Sequence, residues 1–362
     1  MMQISPETQL FIREHSSDDV RVLALQAKKY PDIDMPTAIT QIAGRKVAAE
    51  KIPSWWEIEK IWYPKHLSLE QCSSEITARY KARLLQGDSL TDLTGGFGID
   101  CSFLATGFKS ATYVERQEEL CEIAAHNFPV LNLNHINIKN EDGVTYLQAM
   151  SPVDCLFLDP ARRNEHGGKT VAISDCEPNV AELEELLLQK ANRVMIKLSP
   201  MLDLSLALKE LKQTQEVHIL SVNNECKELL ILLGQTSPTE ISIHCVNLST
   251  KGTQEEQHFV FTREQEQCSE CTYTDSLETY LYEPNASLLK AGAFRSIAAA
   301  YPVRKLHPNS HLYTSDTFIE NFPGRIFRIV NQCSFNKKEV KENLADLKKA
   351  NVTVRNFPAT VA

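Results

Sequence analysis

Residues 69–236 alternate short apolar runs with helical segments, and this alternation constrains the fold more than any other feature of the sequence. Strands that alternate with amphipathic helices form βαβ units, and their right-handed crossovers place the strands parallel in one sheet. The pattern therefore predicts an α/β fold, in which ligands bind at the carboxyl ends of the strands. The predicted strands are SLTDL, SATYVE, HINIK, VDCLFLD, RVMIKL and VHILSV.

The flanking segments have other patterns. Residues 1–68 show apolar positions at helical spacing and prolines that divide them into short helices. Their three tryptophans are expected to pack this helical segment onto the next domain, with a base-stacking surface as the alternative. One helix is expected over 69–86. Residues 237–282 contain two strand-like runs, and residues 283–362 have the mixed pattern of a smaller α+β module.

The charge is distributed unevenly along the chain. The 362 residues carry a net charge of −9, but residues 284–362 contain 12 Lys and Arg against 5 Asp and Glu, which leaves the rest at −16. A basic module on an acidic body suits docking to a phosphate backbone, and a solvated basic face without a partner explains it equally well. No apolar run approaches the ~20 residues that span a bilayer, and the N-terminus lacks a secretory signal pattern. We expect a cytoplasmic protein that does not enter a membrane.

Ten cysteines are present, and several lie in apolar stretches. They are expected to be reduced, buried thiols rather than disulfides. The one close pair, Cys268 and Cys271, has neither a second pair nor two nearby histidines to complete a zinc site. No metal is expected there.

The segment 89–100, SLTDLTGGFGID, is the strongest functional signal. A strand ends at Asp92, a glycine-rich turn follows, and a helix is predicted to start near Ile99. Glycines in such a turn allow backbone amides to approach a ligand closely. A Walker A loop is excluded because no Gly-Lys-Ser/Thr follows, and a dinucleotide fingerprint matches poorly because Cys101 occupies the position of its third glycine.

Acidic residues also follow the next three strands. Glu115 is placed to accept hydrogen bonds from ribose hydroxyls, and Asp142 is placed to read an adenine amine. Asp159 opens the segment DPARR at the end of the fourth strand. The alternative for each acid taken alone is a helix N-cap or a solvated turn.

These segments resemble a known family. DLTGGFGID, VE, NEDG and FLDPARR look like a class I S-adenosylmethionine-dependent methyltransferase over roughly residues 69–235, and QCSSEITARYKARLL, YLYEPNASLLKAGAF and LYTSD are similar to bacterial members with a C-terminal THUMP-like domain. The resemblance implies a Rossmann-like seven-stranded sheet, an N-terminal helical segment and a C-terminal α+β module of ferredoxin-like and THUMP-like character. The implied domains are 1–68 (helical), 69–236 (methyltransferase), 237–282 (ferredoxin-like) and 283–362 (THUMP-like). The THUMP-like domain ends early, at Ala362, and the sequence leaves open whether a C-terminal tail is missing.

The resemblance also implies the function and the site. It implies an RNA methyltransferase that uses S-adenosyl-L-methionine, with RNA as partner and an unknown oligomeric state. The implied cofactor-binding residues are Asp92, Thr94, Gly95, Gly96, Phe97, Gly98, Glu115, Asp142 and Gly143, with Phe97 and Val144 lining an adenine pocket. The implied catalytic residues are Asp159, Pro160 and Arg162. The substrate-binding candidates are Arg163, Asp175, Glu177 and Lys197.

The sequence departs from the family pattern at Ala161 and Arg162. These replace the second proline and the aromatic residue of amine methyltransferases, which weakens an expectation of adenine N6 chemistry. Carbon-5 methylation of a pyrimidine needs a cysteine nucleophile, for which Cys226 is the positional candidate, although an ordinary buried thiol is the favoured interpretation. The alternatives are a methyltransferase acting on a protein or small molecule, a non-catalytic RNA-binding protein and, least favoured, a nicotinamide dehydrogenase.

Overall fold

The computed structural model of the protein describes residues 4–162, 172–236, 238–250, 256–345, 347 and 349–353. The chain divides into two compact units. The first consists of Met1–Gln215 with Leu229–Pro238, and the second of Glu216–Glu228 with Thr239–Ala362. Within the described residues, no helix combines the length and the apolar character that a membrane span requires.

Six short helices open the first unit: α1 (Pro6–Glu14), α2 (Val20–Leu25), α3 (Met35–Lys51), α4 (Pro53–Trp56), α5 (His66–Gln71) and α6 (Glu75–Ala82). Prolines stand in the first turn of α1, α3 and α4, where the missing N–H leaves no bond unmade. The single helix expected over 69–86 is wrong. The chain turns between α5 and α6, where the hydroxyl of Ser73 donates to the carboxylate of Asp100.

Two tryptophans fasten these helices to the rest of the first unit. Trp55 is 2% exposed and meets the Phe97 ring edge to face at 5.2 Å. Trp62 stacks on His126 at 3.7 Å, and its backbone N–H and C=O both bond the side-chain amide of Asn127. The predicted packing role of the tryptophans is confirmed for these two.

The strands of the large sheet lie between residues 89 and 262. Its strands are β1 (Ser89–Asp92), β2 (Ser110–Glu115), β3 (Ile136–Asn140), β4 (Val153–Leu158), β7 (Ala191–Leu198), β8 (Thr214–Val222), β9 (Glu225–Gly234), β10 (Ser242–Leu248) and β11 (Glu256–Thr262). Between β4 and β7 lies a separate two-stranded pair, β5 (Ala161–Arg162) and β6 (Cys176–Glu177). The intervening helices are α7 (Ile99–Ala105), α8 (Glu118–Val130), α9 (Gly143–Ala149), α10 (Val180–Lys190) and α11 (Leu204–Glu210).

The strand order is β11-β10-β8-β9-β7-β4-β1-β2-β3. The neighbours from β3 through β7 pair in parallel, and β9 pairs antiparallel to β7. β1 and β4 lie in the middle and are buried over most of their length, as parallel strands with both faces covered must be. The predicted α/β fold is confirmed, and the carboxyl ends of β1, β2 and β4 meet at one edge.

The sheet is larger than the predicted seven strands. β10 pairs in parallel with β8, and β11 pairs antiparallel to β10. Residues 242–262 therefore extend the large sheet instead of forming the separate β-rich unit expected over 237–282. The physical reason is burial, because Ile243, Cys245 and Val246 in β10 are at most 1% exposed.

A smaller antiparallel sheet lies in the second unit, with the order β13-β14-β12-β15. Its strands are β12 (Tyr280–Pro284), β13 (Arg304–Lys305), β14 (Tyr313–Ser315) and β15 (Gly324–Arg328), and the helices of this region are α12 (Arg263–Cys268), α13 (Ala286–Ala291), α14 (Ser296–Ala300) and α15 (Lys337–Asn343). Tyr282, Tyr313 and Phe322 are buried in its core. The α+β character predicted for the C-terminal region is confirmed.

Candidate functional site

The glycine turn between β1 and α7 depends on backbone conformations that only glycine adopts readily. Gly96 and Gly98 have φ angles of 54° and 85°, in the left-handed region. Gly95 is required for a different reason, because a Cβ there would lie 2.3 Å from the ring of Tyr113. The turn therefore folds tightly against β2.

Glu115, at the end of β2, ties its own strand to this turn. Its two carboxylate oxygens accept the backbone N–H groups of Gly96, at 2.9 Å, and Gln117, at 2.8 Å. The side chain is thereby held in one orientation at the edge of the sheet. Since a carboxylate offers about four lone-pair sites, acceptor capacity remains beyond these two bonds.

Asp92 is the most buried acid of the site. Its Oδ1 accepts the N–H of Thr94 at 3.0 Å, whereas its buried Oδ2 has no hydrogen-bond partner among the described residues. Burial raises the pKa of Asp92 well above its usual range, and the nearby carboxylates of Asp100, Asp159 and Glu115 raise it further. A buried acceptor without a donor costs about 1–3 kcal/mol, so Oδ2 indicates a place for a ligand's N–H or O–H.

Thr94 joins the glycine turn to the end of β4. Its hydroxyl accepts the backbone N–H of Asp159 at 2.6 Å. One residue before Thr94, the N–H of Leu93 donates to the carbonyl of Phe157 at 3.0 Å. The predicted cofactor turn and the Asp159-Pro160 segment therefore lie side by side, with Pro160 buried.

Lys197, from β7, lies between two carboxylates. Its ammonium forms an ion pair with Asp159 and lies 3.8 Å from Asp100. Asp100 in turn pairs with Lys81 at 2.9 Å, and the Lys81 ammonium also donates to Ser73. Lys81 is fully buried, which is tolerated only where a charge is paired and hydrogen-bonded.

This network shifts the pKa values of its two acids, Asp100 and Asp159, in opposite directions. Burial raises the pKa of Asp100, but the ammonium groups of Lys81 and Lys197 and the Ser73 hydroxyl outweigh it and hold the pKa below its usual value. For Asp159 burial has the larger effect and raises the pKa, while Lys197 opposes the rise. The Asp159 side chain remains 36% exposed and is the member of the network that faces outward.

Sequence reasoning missed Asp100, Lys81 and Ser73. A signal for Lys81 was present, because it follows the buried Thr77 and Ala78 by four and three residues and so shares the inner face of α6. Asp100 stands one residue after the helix start that follows the glycine turn, on a buried helix. Its partners come from other elements, which no local pattern reveals.

The candidates from the loop after β4 lie partly within the described residues. β5 and β6 pair so that Ala161 lies opposite Glu177 and Arg162 opposite Cys176. This brings the exposed Glu177 and the neighbouring Asp175 to the strand that follows Asp159-Pro160. Arg163 lies outside the described residues. Asp175 and Glu177 remain predictions as substrate contacts.

Two residues predicted to contact adenine also have structural roles. The Phe97 side chain is 4% exposed and is buried against Trp55 and Tyr63, so it anchors the glycine turn to the N-terminal helices. Asp142 caps α9 through Oδ1, which accepts the N–H groups of Val144 and Thr145 at 3.0 Å each. A Cβ on Gly143 would lie 2.2 Å from the carbonyl oxygen of Leu93, so this glycine allows α9 to approach the turn after β1.

The cysteine candidates show no activation. Burial raises the pKa of the Cys226 thiol to about 11, which disfavours the thiolate that carbon-5 chemistry needs. Among the described residues, the group spaced closely enough for a metal ion does not include Cys268 or Cys271. Neither observation supports a nucleophilic role for Cys226 or a metal site at Cys268 and Cys271.

Comparison with solved structures places the chain in a family. A crystal structure described as a "putative methyltransferase from Porphyromonas gingivalis W83" is 34% identical, with a TM-score of 0.85. The match covers 99% of this chain and 91% of the other. The chain belongs to this methyltransferase family. The chain also matches the family models of a ferredoxin-like domain at residues 280–323 and a THUMP domain-like module at residues 324–362.

The ferredoxin-like match covers β12 to β14, and so begins where the predicted ferredoxin-like unit, 237–282, ends. Two other solved structures are distant. One is described as "a modification subunit of a putative type I restriction enzyme from Vibrio vulnificus YJ016", with 12% identity, a TM-score of 0.38 and 56% of each chain covered. The other, from Streptococcus mutans, is described as "a putative methyltransferase" in complex with SAH, with 14% identity, a TM-score of 0.32 and coverage of 44% of this chain and 96% of that one. A search of curated proteins gave no match.

The buried network of Lys81, Asp100 and Lys197 predicts a coupled effect on stability. Asp100→Asn leaves the buried ammonium of Lys81 without its charged partner, and Lys81→Met removes one of the two cations beside Asp100. We expect each single change to lower the free energy of unfolding by about 3 kcal/mol, and the double change to cost clearly less than the sum. Urea denaturation of the four proteins measures this, and additive effects would contradict the coupling.

Proposed function

We propose that this protein is an S-adenosylmethionine-dependent methyltransferase that acts on a base of structured RNA. The observation that carries the proposal is the unpartnered Oδ2 of Asp92, buried beside a glycine turn at the carboxyl ends of β1, β2 and β4. Membership of the methyltransferase family and the THUMP domain-like match support the same function.

The donor and acceptor groups around the turn fit the cofactor. S-adenosylmethionine, when bound, supplies a methyl group on a positively charged sulfonium centre. Asp92 would accept an N–H from the amino-acid part through Oδ2, and Glu115 has acceptor capacity for ribose hydroxyls. The Oδ2 of Asp142 is left for an adenine amine, because the helix cap uses Oδ1.

Asp159 is the residue we assign to the reaction. Methyl transfer is an in-line displacement, so holding the nucleophile in line supplies much of the rate increase. Asp159 would accept one N–H of an exocyclic amine and offset the positive charge that develops on the attacking nitrogen. Lys197, first predicted to touch the substrate, bonds Asp159 and would keep its carboxylate ionised and oriented.

The substrate class follows from the C-terminal region. The THUMP domain-like segment, residues 324–362, contains eight Lys and Arg against three Asp and Glu. Three of these lysines, Lys337, Lys338 and Lys341, are exposed on α15. Exposed lysines on one helix suit electrostatic contact with a phosphate backbone.

Asp92→Asn tests the cofactor site. We expect the wild-type protein to bind S-adenosylhomocysteine in calorimetric titration, and the variant to bind it about 10- to 100-fold more weakly, because a charge-assisted hydrogen bond contributes about 1.5–3 kcal/mol. NADH is the control ligand. Binding of NADH, or equal binding of S-adenosylhomocysteine by both proteins, would overturn the cofactor assignment.

We also expect the affinity for S-adenosylhomocysteine to depend on pH differently in the wild type and in Asp92→Asn. The raised pKa means that folded Asp92 holds its proton more tightly than the unfolded chain does, so its contribution to stability is present at low pH and disappears as pH rises through the folded pKa. Binding of an ammonium group favours the ionised carboxylate. Affinity for S-adenosylhomocysteine should therefore increase with pH in the wild type, and this dependence should flatten in Asp92→Asn.

Asp159→Ala tests the catalytic role. We expect methyl transfer to RNA from cells lacking the gene to fall at least 10²-fold, since removing a group that stabilises developing charge costs about that much. Binding of S-adenosylhomocysteine should survive, because Asp92 and Glu115 remain. Loss of binding together with activity would remove Asp159 from the catalytic role.

RNA docking is tested by replacing Lys337, Lys338 and Lys341 together with glutamine. RNA affinity should fall, and the slope of log K against log salt should shrink by about 0.7 for each phosphate that the variant no longer neutralises. The matched control replaces the exposed Lys28, Lys29 and Lys60 with glutamine, which changes the net charge equally. Equal effects of the two triple variants would contradict a docking surface on α15.

A further inference from the structure

Three histidines and a glutamate stand on one face of three adjoining strands in the second unit. Glu216 and His218 are two residues apart in β8, and His244 of β10 lies opposite His218 in the parallel register. His258 comes from β11, diagonal to His244. None of these residues belongs to the proposed methyl-transfer site, and the family assignment does not depend on them.

Their polar atoms converge. Glu216 Oε2 lies 3.2 Å from His218 Nε2, and the ligand atoms of Glu216, His218 and His244 all lie within 4.8 Å of one another. A tetrahedral zinc site with bonds of about 2.0–2.1 Å has ligand atoms about 3.3 Å apart. The glutamate–histidine pair is hydrogen-bonded at this distance, which is also the spacing of one edge of such a site.

His258 supplies an orienting contact. Its Nε2 lies 3.1 Å from Nδ1 of His244, so Nε2 of His244 is the nitrogen left for an ion. Metal-ligating histidines ordinarily use the second ring nitrogen in such a hydrogen bond.

We propose that Glu216, His218 and His244 bind one divalent transition-metal ion of the zinc class, with His258 positioning His244. The rings of His218 and His244 stack at 4.3 Å, so their lone pairs run nearly parallel. Coordination by both requires a small turn of one ring about χ2, a torsion with broad minima, with the contact between His244 and His258 retained. The Glu216 side chain is 33% exposed, which provides the route of entry and a fourth position for water. The ion links β8 to β10.

Cobalt(II) titration of the full-length protein tests this site. The background carries Cys268→Ser and Cys271→Ser, so that this thiol pair cannot bind the probe. We expect one equivalent of Co²⁺ to bind with the intense visible absorption of tetrahedral coordination, without a thiolate charge-transfer band, and Zn²⁺ to displace it. Glu216→Gln and His244→Asn should each weaken binding at least tenfold.

The controls separate the site from general effects. Glu216→Gln keeps the shape of the side chain, so its loss of binding with an unchanged circular dichroism spectrum reports ligation rather than misfolding. His307→Asn changes an exposed histidine of the same unit and should bind Co²⁺ as the background does. Failure to bind one equivalent, a persistent thiolate band, or equal affinity of Glu216→Gln and the background would each overturn the proposal.

Discussion

The ammonium group of Lys197 holds the candidate site together, because it lies between the carboxylates of Asp159 and Asp100. Without it, two acids would face each other at the edge of the sheet. Removing one partner of a buried ion pair costs about 3–5 kcal/mol, so the strands and helices that carry these groups are fixed relative to one another. Thr94 connects this network to the glycine turn, because its hydroxyl accepts the backbone N–H of Asp159.

The parts of the site that the sequence predicted are those set by local pattern. Asp92 and Glu115 are the last residues of apolar strands, whereas the glycine turn and Asp159 come directly after such strands. Parallel strands bring these carboxyl ends to one edge. The βαβ alternation was likewise readable, because buried parallel strands need continuous apolar runs. These features depend on neighbours in sequence, and the structure places them where they were expected.

The parts that were missed depend on tertiary contacts. Lys81 pairs with Asp100 across two helices, and nothing in either segment specifies the other. Phe97 was expected at the adenine but is buried against Trp55, a contact set by helices far earlier in the chain. The alignment of His218 with His244 follows from the register between β8 and β10, which alternating hydrophobicity does not determine across a crossover.

The central claim is that the edge formed by β1, β2 and β4 binds S-adenosylmethionine. A crystal structure of the protein with S-adenosylhomocysteine tests it most directly. We expect the amino-acid part of the ligand to lie against Oδ2 of Asp92 and the ribose hydroxyls to bind Glu115, with the homocysteine sulfur facing Asp159. Density for the ligand at another place would contradict this binding mode. So would a ligand bound at this edge that leaves Oδ2 of Asp92 without a hydrogen-bond partner.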